Sequence, residues 1–214
     1  MSDDHLSTTR RDLLKLLGAV PLAAALDLGA ARVGRAARLA AALGDADARA
    51  FVPRFFSAHE WRTVRVLVDD ILPRDERSGS ATEAKVPEFM DFMLADADTA
   101  PAARTAMRGG LAWLDAECHE RFGAPFAACS TAHRHRLLDD IAWPARARPE
   151  LSQGAAFFTA FRDLTASGFY ATPMGWRDVG YEGNVFHASW QGCPEPALRK
   201  LGVAYSDGDV RPGG

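Results

Sequence analysis

The stretch Ser57-Ala58-His59-Glu60-Trp61-Arg62-Thr63-Val64-Arg65-Val66-Leu67-Val68-Asp69-Asp70-Ile71-Leu72-Pro73 decides the fold class. Ser57 and Glu60 have the spacing of a capping box. In it, the serine and glutamate side chains each accept a backbone N–H that the first helical turn leaves without a partner. Val64, Leu67, Val68, Ile71 and Leu72 recur at steps of three and four, which gathers them on one helical face, and Pro73 stops the helix. The same signals repeat along the chain. Pro87 suits the first position of a second helix carrying Phe89, Met90, Met93 and Leu94. Pro101 opens a third, striped by Met107, Leu111, Leu114, Cys118 and Phe122 and ended by Gly123. Ser130 caps a fourth with Leu137, Leu138 and Ile141, ended at Trp143-Pro144. A fifth begins at about Gln153, carries Phe157, Phe158, Phe161 and Leu164, and ends near Gly168. No segment alternates apolar and polar residues as a strand does, and no internal repeat occurs. The pattern predicts an all-α domain of about five short helices over residues 51–167, each too short to stand without the others' faces.

Residues 1–50 read as an export address and linker. Thr8-Thr9-Arg10-Arg11-Asp12-Leu13-Leu14-Lys15 precedes an apolar run, Leu16–Leu26, broken only by Gly18 and Pro21. Arg10, Arg11, Leu13, Leu14 and Lys15 resemble a twin-arginine translocation signal, with Leu13 where that signal often carries Phe. From Leu13 to Leu26 the run is shorter than the roughly 20 residues that span a bilayer. Such a signal implies transport by the twin-arginine translocase, which moves folded cargo, and a periplasmic destination. Small-x-small cleavage sites occur at Ala23-Ala24-Ala25, Ala40-Ala41-Ala42 and Ala48-Arg49-Ala50, and removal is expected somewhere before Phe51. The Ala-rich segment with Arg32, Arg35 and Arg38 on one helical side also allows a retained helix on an anionic surface.

Residues 168–214 differ from the helical part. Gly168-Phe169-Tyr170, Met174-Gly175-Trp176, Gly180-Tyr181-Glu182-Gly183-Asn184 and Trp190 place aromatics among glycines and turns. An irregular segment of this length is unusual in a compact domain, and this one is too aromatic for a disordered tail. Phe169, Tyr170, Trp176, Tyr181, Asn184 and Trp190 are therefore the expected contacts to a partner. The alternative, that these aromatics cover the domain's own core, stays open.

Composition narrows the chemistry. The 214 residues carry 25 Lys+Arg against 28 Asp+Glu, a net charge of −3, and 48% hydrophobic residues. That is globular material without the basic surface that nucleic-acid binding needs. No dinucleotide fingerprint, haem-attachment Cys-x-x-Cys-His, His-Glu-x-x-His or paired Glu-x-x-His motif occurs. His59, Glu60, Asp69 and Asp70 are the nearest approach to an enzyme or metal site. Adjacent helical residues diverge, however, so neither His59-Glu60 nor Asp69-Asp70 chelates readily. His133 and His135 diverge likewise. The three cysteines, Cys118, Cys129 and Cys193, allow one disulfide in an oxidising compartment in any pairing. Cys118 lies on the apolar stripe, where a buried thiol is the default.

The order of several fragments resembles the gluconate 2-dehydrogenase subunit 3 family. They are Glu60-Trp61-Arg62-Thr63-Val64 through Leu67–Pro73, Val86–Leu94, Gly154-Ala155-Ala156-Phe157-Phe158, and Gly168-Phe169-Tyr170 with Met174-Gly175, Asp178 and Gly180-Tyr181-Glu182-Gly183-Asn184. The resemblance implies a small exported subunit of a membrane-associated sugar or sugar-acid dehydrogenase, with no catalytic residue and no cofactor in this chain. FAD is then expected in a large subunit resembling GMC-type oxidoreductases, and haem c in a third, multihaem cytochrome subunit where one is present. The small subunit would support folding and export of the flavoprotein. The rival is a stand-alone exported enzyme or metalloprotein using His59, Glu60, Asp69 or Asp70.

Overall fold

The computed structural model describes residues 28–44, 47, 48, 50–183, 186 and 192–205. The chain divides into two units, Met1–Gly180 and Tyr181–Gly214. The first holds α1 (Ala30–Ala42), α2 (Ala58–Ile71), α3 (Val86–Ala95), α4 (Pro101–Phe122), α5 (Thr131–Ile141), α6 (Ser152–Tyr170) and α7 (Pro173–Asp178). Turns of 3-10 helix at Phe126–Ala128 and Pro149–Leu151 join them, and the second unit carries α8 (Glu195–Leu201). No strand occurs among the described residues, so the class is all-α.

The caps fall where the sequence places them. Ser57 and Glu60 exchange both capping-box bonds at the start of α2. The Ser130 hydroxyl accepts the His133 N–H at α5, and Pro87 and Pro101 occupy the first turns of α3 and α4. Gly123 ends α4 at φ 76°, a left-handed conformation that glycine adopts without steric cost.

α6 is the central element and packs on α2, α3, α4, α5 and α7. Glycines let it interlock with its neighbours. A Cβ on Gly110 of α4 would fall 1.9 Å from the Phe157 ring of α6, and one on Gly154 of α6 would fall 2.1 Å from the Trp113 ring of α4. Each aromatic ring thus fills a notch in the facing helix. Trp113, Phe157, Phe161, Leu164, Leu111 and Leu114 are buried together in one core. Buried at this density, such side chains supply the larger part of the fold's stability.

Two boundaries differ from the sequence expectation. α1 lies within residues 30–42, inside the stretch expected to be linker or removed peptide, yet it packs along α3 with Ala36, Ala37 and Ala40 buried. Alanines at the contact let the two helix axes approach closely. Arg35 pairs with Asp96 at 3.5 Å, Arg32 donates to the Thr99 hydroxyl, and the Lys85 ammonium donates to the Leu43 carbonyl. These arginines therefore serve the fold. Cleavage at Ala40-Ala41-Ala42 or Ala48-Arg49-Ala50 would strip a packed helix from the core. Second, helical structure continues past residue 167: α6 runs to Tyr170, α7 follows, and the compact unit closes at Gly180.

Candidate partner-binding surface

The C-terminal aromatics separate into one core residue and several exposed ones. Phe169 is 2% exposed and belongs to the hydrophobic core. This corrects its assignment as a partner contact: once α6 extends two residues beyond Gly168, Phe169 falls on the same face as Phe157, Phe161 and Thr165. Tyr170 packs edge-on against the Phe169 ring, centroids 5.2 Å apart, and is itself 39% exposed.

The corner between α6 and α7 is built by short-range bonds. The Thr172 hydroxyl donates to the Phe169 carbonyl at 2.7 Å and accepts the Gly175 N–H at 3.2 Å, so one side chain ends α6 and caps α7. Gly175 is required by closeness, because a Cβ there would meet the Phe169 carbonyl oxygen at 2.3 Å. The Arg77 guanidinium donates to the Asp178 carbonyl and faces the Asp178 carboxylate, tying α7 to the loop after α2. Burial raises the Tyr170 pKa, and the Asp178 carboxylate adds to the effect, so the phenol stays a donor to Asp178 at 3.4 Å. With the backbone held in this way, Trp176 is 44% exposed and Val179, one turn on, is 58% exposed. An aromatic platform on a fixed corner has the composition of a binding-site centre.

In the second unit Tyr181 is 60% and Phe186 is 88% exposed. The Tyr205 hydroxyl accepts the Cys193 N–H at 2.9 Å. Asn184 and Trp190, and the signal residues Arg10, Arg11, Leu13, Leu14 and Lys15, lie outside the described residues.

The residues of the rival enzyme reading are drawn into separate supporting roles. Glu60 accepts the Ser57 N–H at 2.8 Å and an Arg108 N–H at 3.1 Å. His59 Nε2 lies 2.6 Å from Asp115 Oδ2, while Asp115 Oδ1 accepts the Phe126 N–H at 2.9 Å. Asp69 accepts the Thr82 N–H at 2.8 Å. Asp70 takes a two-pronged bond from Arg134 at 2.7 and 3.0 Å, and His135 stands 3.4 Å away. The structure brings no two of the four onto a common substrate position. Among the described residues no group of three or more His, Cys, Asp and Glu side chains could hold a metal ion.

Two carboxylates at core positions escaped the sequence reading. Asp91 is fully buried and accepts three backbone N–H groups, from Arg54 at 2.8 Å, Phe55 at 2.9 Å and Phe56 at 3.2 Å, which anchors the chain entering α2. Glu88, three residues earlier on α3, is 1% exposed, with one oxygen 3.8 Å from Arg65 and the other, Oε2, without a hydrogen-bond partner. Burial pushes its pKa up. It lines a cleft of about 720 Å³ with Trp61, Phe51, Arg65, Thr82 and Lys85. The signal was present: both acids lie among Val86, Phe89, Met90 and Leu94 on an otherwise apolar helix, where an acid is rare unless it has a structural use.

The described residues define an all-α helical unit whose fixed corner leaves the Tyr170 and Trp176 side chains exposed. The family is specific. Residues 58–183, more than half of the chain, match the family model described as gluconate 2-dehydrogenase subunit 3, and the chain belongs to that family. The matched span runs from the first residue of α2 through the corner to Gly183. No curated protein and no solved structure matches the chain. The family is that of one subunit of an oxidoreductase, so a partner chain belongs to its setting.

Proposed function

We propose that this chain is the non-catalytic small subunit of a periplasmic, membrane-associated, FAD-dependent gluconate or sugar dehydrogenase. It binds the flavoprotein subunit in the cytoplasm, supports its folding, and lends it the Arg10-Arg11 signal for passage through the twin-arginine translocase. FAD resides in the GMC-type large subunit. Haem c, where present, resides in a third, cytochrome subunit that passes electrons onward. The observation that carries this reading is the pairing of the family match with a fixed corner that exposes Tyr170 and Trp176. Tyr181, Asn184 and Trp190, which belong to the second unit, are further partner contacts of their own.

Interface aromatics carry a disproportionate share of binding energy, of order 2 kcal/mol or more each on truncation. The test is co-purification from the native membrane fraction, with flavin and haem absorbance of whatever accompanies the chain. Wild type brings down a flavin-bearing subunit. Trp176→Ala combined with Tyr181→Ala releases it while the isolated chain keeps its helical circular dichroism. Undiminished flavin in the double variant's eluate would contradict the interface assignment. A flavin bound to this chain alone would contradict the accessory role.

A further inference from the structure

Cys118 and Cys129 lie eleven positions apart in the sequence, and the fold brings their side chains together. α4 carries Cys118, and Gly123 turns the chain back. Asp115, one turn before Cys118, accepts the Phe126 N–H and so pins the 3-10 turn Phe126–Ala128 against α4. Cys129 closes that turn, its N–H shared between the Pro125 and Phe126 carbonyls at 3.2 and 3.1 Å. The Cys129 thiol donates to the Ala124 carbonyl at 3.4 Å. Both thiols are buried in one core, 0% and 7% exposed, where the 3-10 turn packs against α4. The side chains are held by four separate constraints: the helix, the glycine reversal, the Asp115 bond and the 3-10 turn.

We propose that Cys118 and Cys129 are a disulfide-forming pair, closed by a disulfide oxidant when the chain meets an oxidising compartment, and that Cys193 remains the thiol. The structure holds the reduced form, with all three cysteines free. Closure proceeds by two exchanges. Cys129, the more accessible thiol, loses its proton and attacks one sulfur of the oxidant, expelling that oxidant's other half as a thiol. Cys118 then loses its proton and displaces the second thiol, forming the Sγ–Sγ bond. Two electrons and two protons leave the pair, and one oxidant disulfide becomes two thiols. Burial raises the Cys118 pKa to about 12, with the neighbouring Cys129 adding to the effect. The second exchange is therefore slow in the closed fold and is gated by local opening. The cross-link ties the end of α4 to the segment that leads into α5. Arg134 of α5 donates to the Cys129 carbonyl at 2.8 Å and pairs with Asp70 of α2, so the same segment is also tied to α2.

That closure happens in cells rests on the export reading; the pairing itself does not, and the experiment separates the two. The full chain is treated with oxidised glutathione at mildly alkaline pH, acid-quenched, denatured and alkylated, and its peptides are weighed. The expected result is a Cys118–Cys129 linked peptide with Cys193 alkylated, and a thermal midpoint raised by roughly 5 °C. Cys193→Ser gives the same link, and Cys118→Ala leaves Cys129 as a glutathione adduct. Three alkylated cysteines after this treatment, or a link that includes Cys193, would overturn the proposal. Chain recovered from cells adds the second arm. Cytoplasmic chain is expected with free thiols and periplasmic chain with the link; periplasmic chain that keeps Cys118 and Cys129 as free thiols would overturn closure in cells.

Discussion

The α4–α6 contact and the α6–α7 corner use the same residue types to opposite ends. In the first, Gly110 and Gly154 open notches that the Phe157 and Trp113 rings fill, and the aromatics vanish from the surface. In the second, Gly175 opens a notch that the Phe169 carbonyl fills, and the tightened corner leaves Tyr170 and Trp176 in solvent. A glycine beside an aromatic is therefore not a signature of interface or of core. What decides is whether the ring or the backbone occupies the space that the missing Cβ leaves. Phe169 and Tyr170 show this at its sharpest, as neighbours in sequence with opposite fates.

The sharpest way to break that contrast is to truncate both neighbours in turn. Phe169→Ala removes a fully buried ring and should cost about 3–5 kcal/mol by denaturant titration. Tyr170→Ala should cost about 1 kcal/mol or less while weakening partner binding. Equal losses would mean that the corner is not the boundary between core and surface. Next in size, Gly154→Ala drives a methyl group into the Trp113 ring and should cost about 1–3 kcal/mol, read as a lowered urea midpoint at unchanged slope. A near-neutral result would show that the notch is not filled as described.

The smallest effect concerns Glu88, whose burial raises its folded-state pKa. Raising an acid's pKa on folding means that the folded state binds its proton more tightly. Its contribution to stability is therefore present at low pH and is lost as pH rises from the ordinary carboxylate value through the folded value. Glu88→Gln should be as stable as wild type at neutral pH or more so, by up to about 1 kcal/mol, and should flatten the acid side of the stability profile. Marked destabilisation by glutamine at neutral pH would mean instead that the charged form is held by Arg65.

Much of the helical architecture was legible because its signals are local. Ser57 with Glu60, Ser130, Pro87, Pro101 and Gly123 each act within one turn, and the structure uses every one as read. The errors share a physical cause: each needed knowledge of a surface distant in sequence. α1 reads as Ala-rich linker beside an export signal, and only the facing surface of α3 makes its alanines a packing stripe. Phe169 looked like a loop aromatic because Gly168 resembles a helix stop. Yet Gly168 sits inside α6, where a Cβ would meet the Phe89 ring at 2.6 Å, so it serves close helix packing. α7 is too short for periodicity to show and exists through Thr172, Gly175 and the Arg77–Asp178 tie. Of the aromatics singled out from the sequence, Tyr170, Trp176 and Tyr181 are exposed, whereas Phe169 is buried in the core.

The central claim is that this chain carries a redox partner to its place of work. The most direct test replaces Arg10 and Arg11 together by lysine in the native host and follows where the flavin-bearing subunit accumulates. The expected result is a flavoprotein that stays in the cytoplasm and dehydrogenase activity at the membrane that falls by about tenfold or more. A flavoprotein that still reaches the periplasm at the wild-type level would contradict it.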